Sequence, residues 1–200
     1  VSSHKKNGSI PKIFLGIWKR NVSFHAIIFY SESPWAIKKR TFYGNALGTQ
    51  EIIDLADIFA KNIDKGDIIL MDGPLGIGKT FFSRAIINAR CLMDNLEIEE
   101  VPSPTFSIIQ EYDLRYFSIL HLDLYRLENE TDLFELGIPD IFDENVIILE
   151  WPDLIKNFLP SRFLSVSLFQ HNNAENSRNI ELKFFGEGWE NIYKSLIKMF

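Results

Sequence analysis

The sequence predicts an α/β fold, a three-layer sandwich around a mostly parallel central sheet with a hairpin forming an antiparallel edge. Three observations carry this reading. The apolar run Ile68-Ile69-Leu70-Met71 leads into a glycine-rich loop, Gly73–Thr80, and then into the helix-like stretch Thr80–Ile87. A second run, Val146-Ile147-Ile148-Leu149, has the continuous β-branched character of a strand buried on both faces. Strand-like and helix-like segments alternate along the chain, which places helices on the faces of a parallel sheet.

The elements follow in order. Residues 50–62 put Ile52, Leu55, Ala56, Phe59 and Ala60 on one helical face, with Thr49 just ahead as the expected N-cap. Lys65-Gly66-Asp67 is a tight turn into the first core strand. An acidic loop, Asp94 to Glu100, follows the helix after the glycine loop. Thr105–Tyr112 and Phe117–Leu122 read as a hairpin around Asp113-Leu114-Arg115. Thr131–Gly137 is a short helix that Gly137 stops. Arg162–Phe169 and Asn179–Phe185 are later strands, joined by the polar loop His171–Arg178. Gly188–Phe200 closes the chain as a helix with Trp189, Ile192, Tyr193, Leu196 and Ile197 along one face.

Composition narrows the class. Two hundred residues, 46% of them hydrophobic, suffice for one domain with a sizeable core. The lone cysteine, Cys91, permits no internal disulfide and no cysteine-based metal cluster, and its place is as a small apolar residue near the end of the helix after the glycine loop. This suits a reducing, cytoplasmic setting. No apolar run approaches the roughly 18 residues that would span a membrane. Residues 1–40 carry eight Lys or Arg against the single acid Glu32, a net of +7, whereas the remaining 160 residues carry a net of −13. We therefore divide the chain into a basic, weakly ordered extension over residues 1–40 and a single domain over residues 41–200. Val1 in place of Met points to a literal translation of a non-ATG start or to a fragment. An acidic body is a poor surface for a nucleic-acid backbone, so direct nucleic-acid binding by the domain is disfavoured.

The glycine loop carries the chemistry. Gly73-Pro74-Leu75-Gly76-Ile77-Gly78-Lys79-Thr80 satisfies the phosphate-loop pattern G-x-x-x-x-G-K-[ST] at every fixed position, and strand, loop and helix are the context that supports it. Glycines let successive N–H groups converge on a phosphate. Lys79 then reaches the β- and γ-phosphates and the Thr80 hydroxyl binds Mg²⁺. Gly73, Gly76, Ile77, Gly78, Lys79, Thr80 and Phe81 are the candidate nucleotide-binding residues. The fold is accordingly P-loop NTPase-like, with ATP and Mg²⁺ as the expected cofactors. No N-K-x-D base-reading sequence is present, which argues against a GTPase.

Turnover needs a carboxylate near the metal as well. Asp123 ends the run Ile119–Leu122 and Glu150 ends the run Val146–Leu149. The second run is more uniformly apolar, so Glu150 is the first choice for the metal's carboxylate, and Asp123 is placed nearby or orients water. Asp123 alternatively caps a helix or pairs with Arg126. His121 has no second His at i+4 and no neighbouring Cys, so it reads as a strand-face histidine rather than a metal ligand. Thr105, in Ser103-Pro104-Thr105-Phe106, either senses the γ-phosphate as a switch residue or belongs to an ordinary turn.

The motifs Gly73–Thr80, Ser103–Phe106, His121-Leu-Asp-Leu-Tyr-Arg126, Glu135-Leu-Gly137 and Glu150-Trp-Pro152, in this order, resemble those of the TsaE (YjeE) family over roughly residues 45–185. The resemblance implies a compact P-loop ATPase, weak alone, that joins the TsaB–TsaD heterodimer and supports threonylcarbamoyl transfer to the adenosine beside the anticodon of tRNAs reading codons that start with A. TsaD performs the transfer, and tRNA is met through the complex. The resemblance further implies Thr80 and Glu150 as Mg²⁺ ligands, and Thr105 and Asp123 as switch and catalytic-support positions. Lys79 completes the catalytic set, and Trp151 packs near the site or a partner surface. The isolated protein is expected to be a monomer. Pro74 and Ile77 stand where the family commonly has Asp and Ala, making this loop stiffer and removing one N–H donor. A small-molecule kinase, or a nucleotide-dependent binding module without turnover, are the alternative readings of the phosphate loop alone.

Overall fold

The computed structural model of the chain describes residues 12–19, 22–29, 40–97, 100–172 and 176–199. Its strands are β1 (Lys12–Lys19), β2 (Val22–Phe29), β3 (Arg40–Leu47), β4 (Ile68–Asp72), β5 (Ile109–Asp113), β6 (Ser118–Asp123), β7 (Val146–Glu150), β8 (Phe163–Gln170) and β9 (Arg178–Phe185). Its helices are α1 (Thr49–Asn62), α2 (Lys79–Met93), α3 (Glu130–Glu135) and α4 (Glu190–Met199), with 3₁₀ segments at Ile138–Ile141 and Pro152–Phe158.

Among the described residues all nine strands join one sheet in the order β1-β2-β3-β9-β8-β4-β7-β6-β5. The centre is parallel: β4 pairs with β8 and β7, and β7 with β6. Both flanks are antiparallel, through β5–β6 on one side and β8–β9, β9–β3, β3–β2 and β2–β1 on the other. The α/β architecture with a parallel centre and antiparallel edges is thus the one expected. Of the basic segment 1–40, the described parts beyond Arg40 are two strands that extend the sheet from β3; the rest of that segment lies outside the described residues.

Alternation along the central strands creates the layers. Ile69 and Met71 of β4 face one core with Phe59 of α1, Phe82 and Ile86 of α2, and Leu196 of α4. Ile68 and Leu70 face a second core with Leu149, Leu133 of α3 and Ile155. Phe59 and Phe82 meet edge to face with ring centroids 5.4 Å apart. Burying one such side chain stabilises the fold by roughly 1.5–3 kcal/mol, so the two apolar layers clamp β4 and hold its carboxyl end in place. Cys91 is buried near the end of α2, and burial raises its thiol pKa to about 11.

Three local expectations need correction, and one strand adds to them. The N-cap of α1 is Gly48, not Thr49, and the Gly48 N–H donates to the Glu51 carboxylate at 3.1 Å. Glu51 reaches back to satisfy that donor, which lets Thr49 start the helix. Thr105 to Ile108 are not strand: the Ile108 N–H turns back to the Pro104 carbonyl at 2.7 Å and Ile108 adopts φ 67°. The hairpin is therefore shorter, β5 starting at Ile109. Ile197 stays 37% exposed while Trp189, Ile192, Tyr193 and Leu196 are buried, because the apolar face of α4 is narrower than the pattern suggested. Arg40–Leu47, unassigned from the sequence, is strand β3, with a bulge between Gly44 and Leu47. Among the described residues no helix is long and apolar enough to cross a membrane.

Candidate functional site

The glycine loop leaves β4 at Asp72 and enters α2 at Lys79. Gly73 has φ 139°, and a Cβ there would sit 2.6 Å from the Leu168 carbonyl oxygen of β8, so only glycine fits. Gly78 caps α2 in the left-handed region at φ 115°, which turns the helix N-terminus toward the loop's hollow. A helix N-terminus with free N–H groups favours an anion. Pro74 and Ile77 act within the loop itself: the Ile77 N–H donates to the Pro74 carbonyl at 3.3 Å. The Ile77 side chain is buried and its carbonyl accepts from Arg178 Nε of β9 at 2.9 Å. The bulk of Ile77 thus packs inward, and the loop is tied to a strand distant in sequence.

Lys79 is folded back on its own loop. Its Nζ donates to the Gly73 carbonyl at 2.7 Å and the Pro74 carbonyl at 3.1 Å, and lies 3.7 Å from the centroid of the Trp151 ring. Burial lowers the lysine pKa, opposed by the nearby charges of Glu150, Asp123 and Asp72. Trp151, at φ 60°, follows β7 directly, and its N–H donates to the Met71 carbonyl of β4 at 3.2 Å.

Both candidate carboxylates stand at neighbouring strand ends, since β6 and β7 pair in parallel with Asp123 opposite Glu150. Glu150 is 2% exposed. Its Oε2 accepts from the Thr80 hydroxyl at 2.9 Å and its Oε1 lies 2.8 Å from His121 Nε2. Asp123 is 3% exposed. Its Oδ2 accepts from the Thr105 hydroxyl at 2.6 Å and its Oδ1 from the Tyr125 N–H at 2.9 Å. Because Thr105 spends its proton on Asp123, Ser103 is the donor in the 2.9 Å contact between the two hydroxyls. Arg126 packs its guanidinium 4.0 Å from the Phe106 ring centroid. Thr105 belongs to a turn and also faces the site.

A cleft of about 240 Å³ is lined by Gly76, Gly78, Lys79, Thr80, Phe81, Ser103, Thr105, Asp123, Glu150 and Trp151. It gathers one cation, two carboxylates, three hydroxyls and the open end of α2 around one hollow. Thr80 Oγ1 and Glu150 Oε2 are hard oxygen donors within contact of each other, the kind of pair that suits a small divalent cation completing its shell with phosphate and water. Gly73 supplies curvature and does not line the cleft.

A second hollow of about 340 Å³ adjoins the other side of the loop, lined by Leu47, Gly48, Thr49, Ile52, Gly76, Ile77, Gly78, Phe81, Asn176 and Arg178. Sequence reasoning found the loop side of this pocket and Phe81, which is 40% exposed at its edge. It missed Leu47 and Arg178. Nothing local marks either residue, because β3 and β9 bring them to the loop from opposite ends of the chain.

Residues 48–180 match the family model described as "Threonylcarbamoyl adenosine biosynthesis protein TsaE". The chain is similar to the tRNA threonylcarbamoyladenosine biosynthesis protein TsaE of Rickettsia bellii, 38% identical over 119 residues, which are 60% of this chain and 80% of that protein. It is similar to the protein of the same name from Bacillus subtilis, 33% identical over 150 residues, covering 74% of this chain and 87% of the relative. In fold it is similar to the crystal structure of Bacillus YdiB, with a TM-score of 0.61 at 22% identity over 82% of this chain and 97% of that one.

Proposed function

The chain belongs to the TsaE family, and on that premise we propose that it is a Mg²⁺-dependent ATPase acting beside TsaB and TsaD in threonylcarbamoyl modification of tRNA. One observation carries the catalytic part of the reading: Thr80 and Glu150, 2.9 Å apart, lie with Lys79 in one cleft at the open end of α2. The phosphate loop and Lys79 receive the β- and γ-phosphates, and Lys79 gives up its contacts with Gly73 and Pro74 to do so. Thr80 and Glu150 would hold the metal ion, which when bound would supply charge neutralisation to the phosphates. Asp123 orients the attacking water, and Thr105 on its turn follows the γ-phosphate. The pocket beside Thr49 and Arg178 takes the base and sugar.

In this reading residues 41–200 are the working domain, residues 1–40 an extension of it, and the reaction takes place in the cytoplasm. Turnover is weak alone, and TsaB–TsaD raises it. The test is ATP hydrolysis by the purified protein with and without the TsaB–TsaD pair, followed by assay of the modified adenosine in tRNA. Stimulated hydrolysis with modification is expected. Phosphate transfer to a metabolite with no partner protein present selects a small-molecule kinase instead, and nucleotide affinity without turnover selects a binding module.

A further inference from the structure

We propose that His121 is a positioning residue, whose Nε2–H holds Oε1 of Glu150 so that Oε2 stays turned toward Thr80 and the metal position. The inference rests on the reading of Glu150 as the metal's carboxylate. Alternation places His121 with Ile119 and Asp123 on the α2 side of β6, while Leu120 and Leu122 face the opposite core. On β7 the same side presents Ile148 and Glu150, and His121 is opposite Ile148. His121 therefore sits one side-chain step below Glu150, on the inner wall of the site. Its ring is 0% exposed.

A carboxylate can only accept hydrogen bonds, so the proton between the two groups belongs to His121 Nε2. Nδ1 has no partner among the described residues. A proton there would be a buried donor left unsatisfied, so the tautomer carrying only Nε2–H is the one the surroundings accept. A histidine serving only to fill the core would need neither this bond nor this tautomer. With both oxygens of Glu150 engaged, by Thr80 on one side and His121 on the other, the carboxylate has one orientation available. Removing His121 frees it to rotate and leaves Oε1 buried without a donor. Partners that orient a metal's protein ligand typically contribute about 10- to 100-fold in metal affinity.

The experiment compares His121→Phe, which keeps volume and loses the donor, with His121→Gln, which keeps an N–H. ADP affinity is measured by calorimetry across a Mg²⁺ series and in EDTA, using the full chain. His121→Phe is expected to need about tenfold or more Mg²⁺ to reach the wild-type gain in ADP affinity, with ADP affinity in EDTA unchanged, and His121→Gln to recover most of that gain. A wild-type Mg²⁺ dependence in His121→Phe, or an equal loss in His121→Gln, overturns the proposal. Glu150→Gln separates the two layers. If it keeps the Mg²⁺ dependence, the metal assignment itself fails. If it loses the dependence while His121→Phe does not, only the positioning role fails. Long-range ¹H–¹⁵N spectra of the wild-type imidazole decide the matter even if the variants do not fold: the Nε2–H tautomer is expected, and the Nδ1–H tautomer contradicts the role.

Discussion

The carboxyl ends of β6 and β7 lie side by side and carry equally buried carboxylates, yet they are held in opposite ways. Glu150 is fixed between Thr80 in the first turn of α2 and His121 on the adjacent strand, both parts of the packed sandwich. Asp123 is held by Thr105, which stands on the irregular segment between α2 and β5. One carboxylate is therefore bound to the scaffold and the other to a loop. The scaffold end suits an ion whose position must not vary, and the loop end suits a group whose partner changes as phosphate comes and goes.

Lys79 serves both ends, so its loss is expected to erase the difference. Lys79→Ala should reduce ATP turnover by about 100-fold or more, the scale seen when a group stabilising transition-state charge is removed, measured by steady-state phosphate release. Glu150→Gln should come next, cutting Mg²⁺-dependent hydrolysis by more than the roughly 10- to 100-fold that loss of a ligand's orienting partner costs, with nucleotide binding in EDTA retained. Undiminished hydrolysis would mean that the two strand ends had been assigned the wrong way round. Thr105→Val breaks the loop end only. It removes a charge-assisted bond worth about 1.5–3 kcal/mol, and is expected to lower turnover while leaving the Mg²⁺ dependence of ADP affinity as in the wild type.

The smallest effect concerns pH. Burial holds the Lys79 pKa below its ordinary value of 10.5. In the empty protein its charged form is disfavoured relative to the unfolded chain, so folding stability rises with pH across the interval between the folded and unfolded values. Below the folded value that penalty is fully present. Phosphate favours the charged form, so nucleotide affinity should fall as pH rises through the depressed pKa, with proton uptake on binding in that range. Calorimetry in buffers of different ionisation enthalpy would detect the uptake, and an affinity that falls only around pH 10.5 would contradict the lowered value.

The scaffold end was also the more legible in sequence. The β4 strand, the loop and the start of α2 are contiguous, and the run Val146–Leu149 is so uniformly apolar that its terminal Glu150 stands out. The loop end is less legible, because Pro104 and the bond from Thr105 to Asp123 hold as a turn residues whose composition suggests a strand. The local sequence marks His121 only as a strand-face residue, and its contact with Glu150 depends on the parallel register of β6 and β7, which no local pattern announces. Strand β3 has no clear sequence signature, because Gly44 and Asn45 interrupt it and Ala46 adopts φ 56° at its bulge. With β3 went Leu47 and the second pocket, whose other wall, Arg178, lies 101 residues from its partner Ile77.

The division of labour between the two strand ends is tested most directly by ADP affinity measured against Mg²⁺ concentration in Glu150→Gln and Asp123→Asn side by side. Glu150→Gln is expected to lose the gain in affinity that Mg²⁺ confers, and Asp123→Asn to keep it. Loss of that gain in Asp123→Asn with retention in Glu150→Gln would contradict that division.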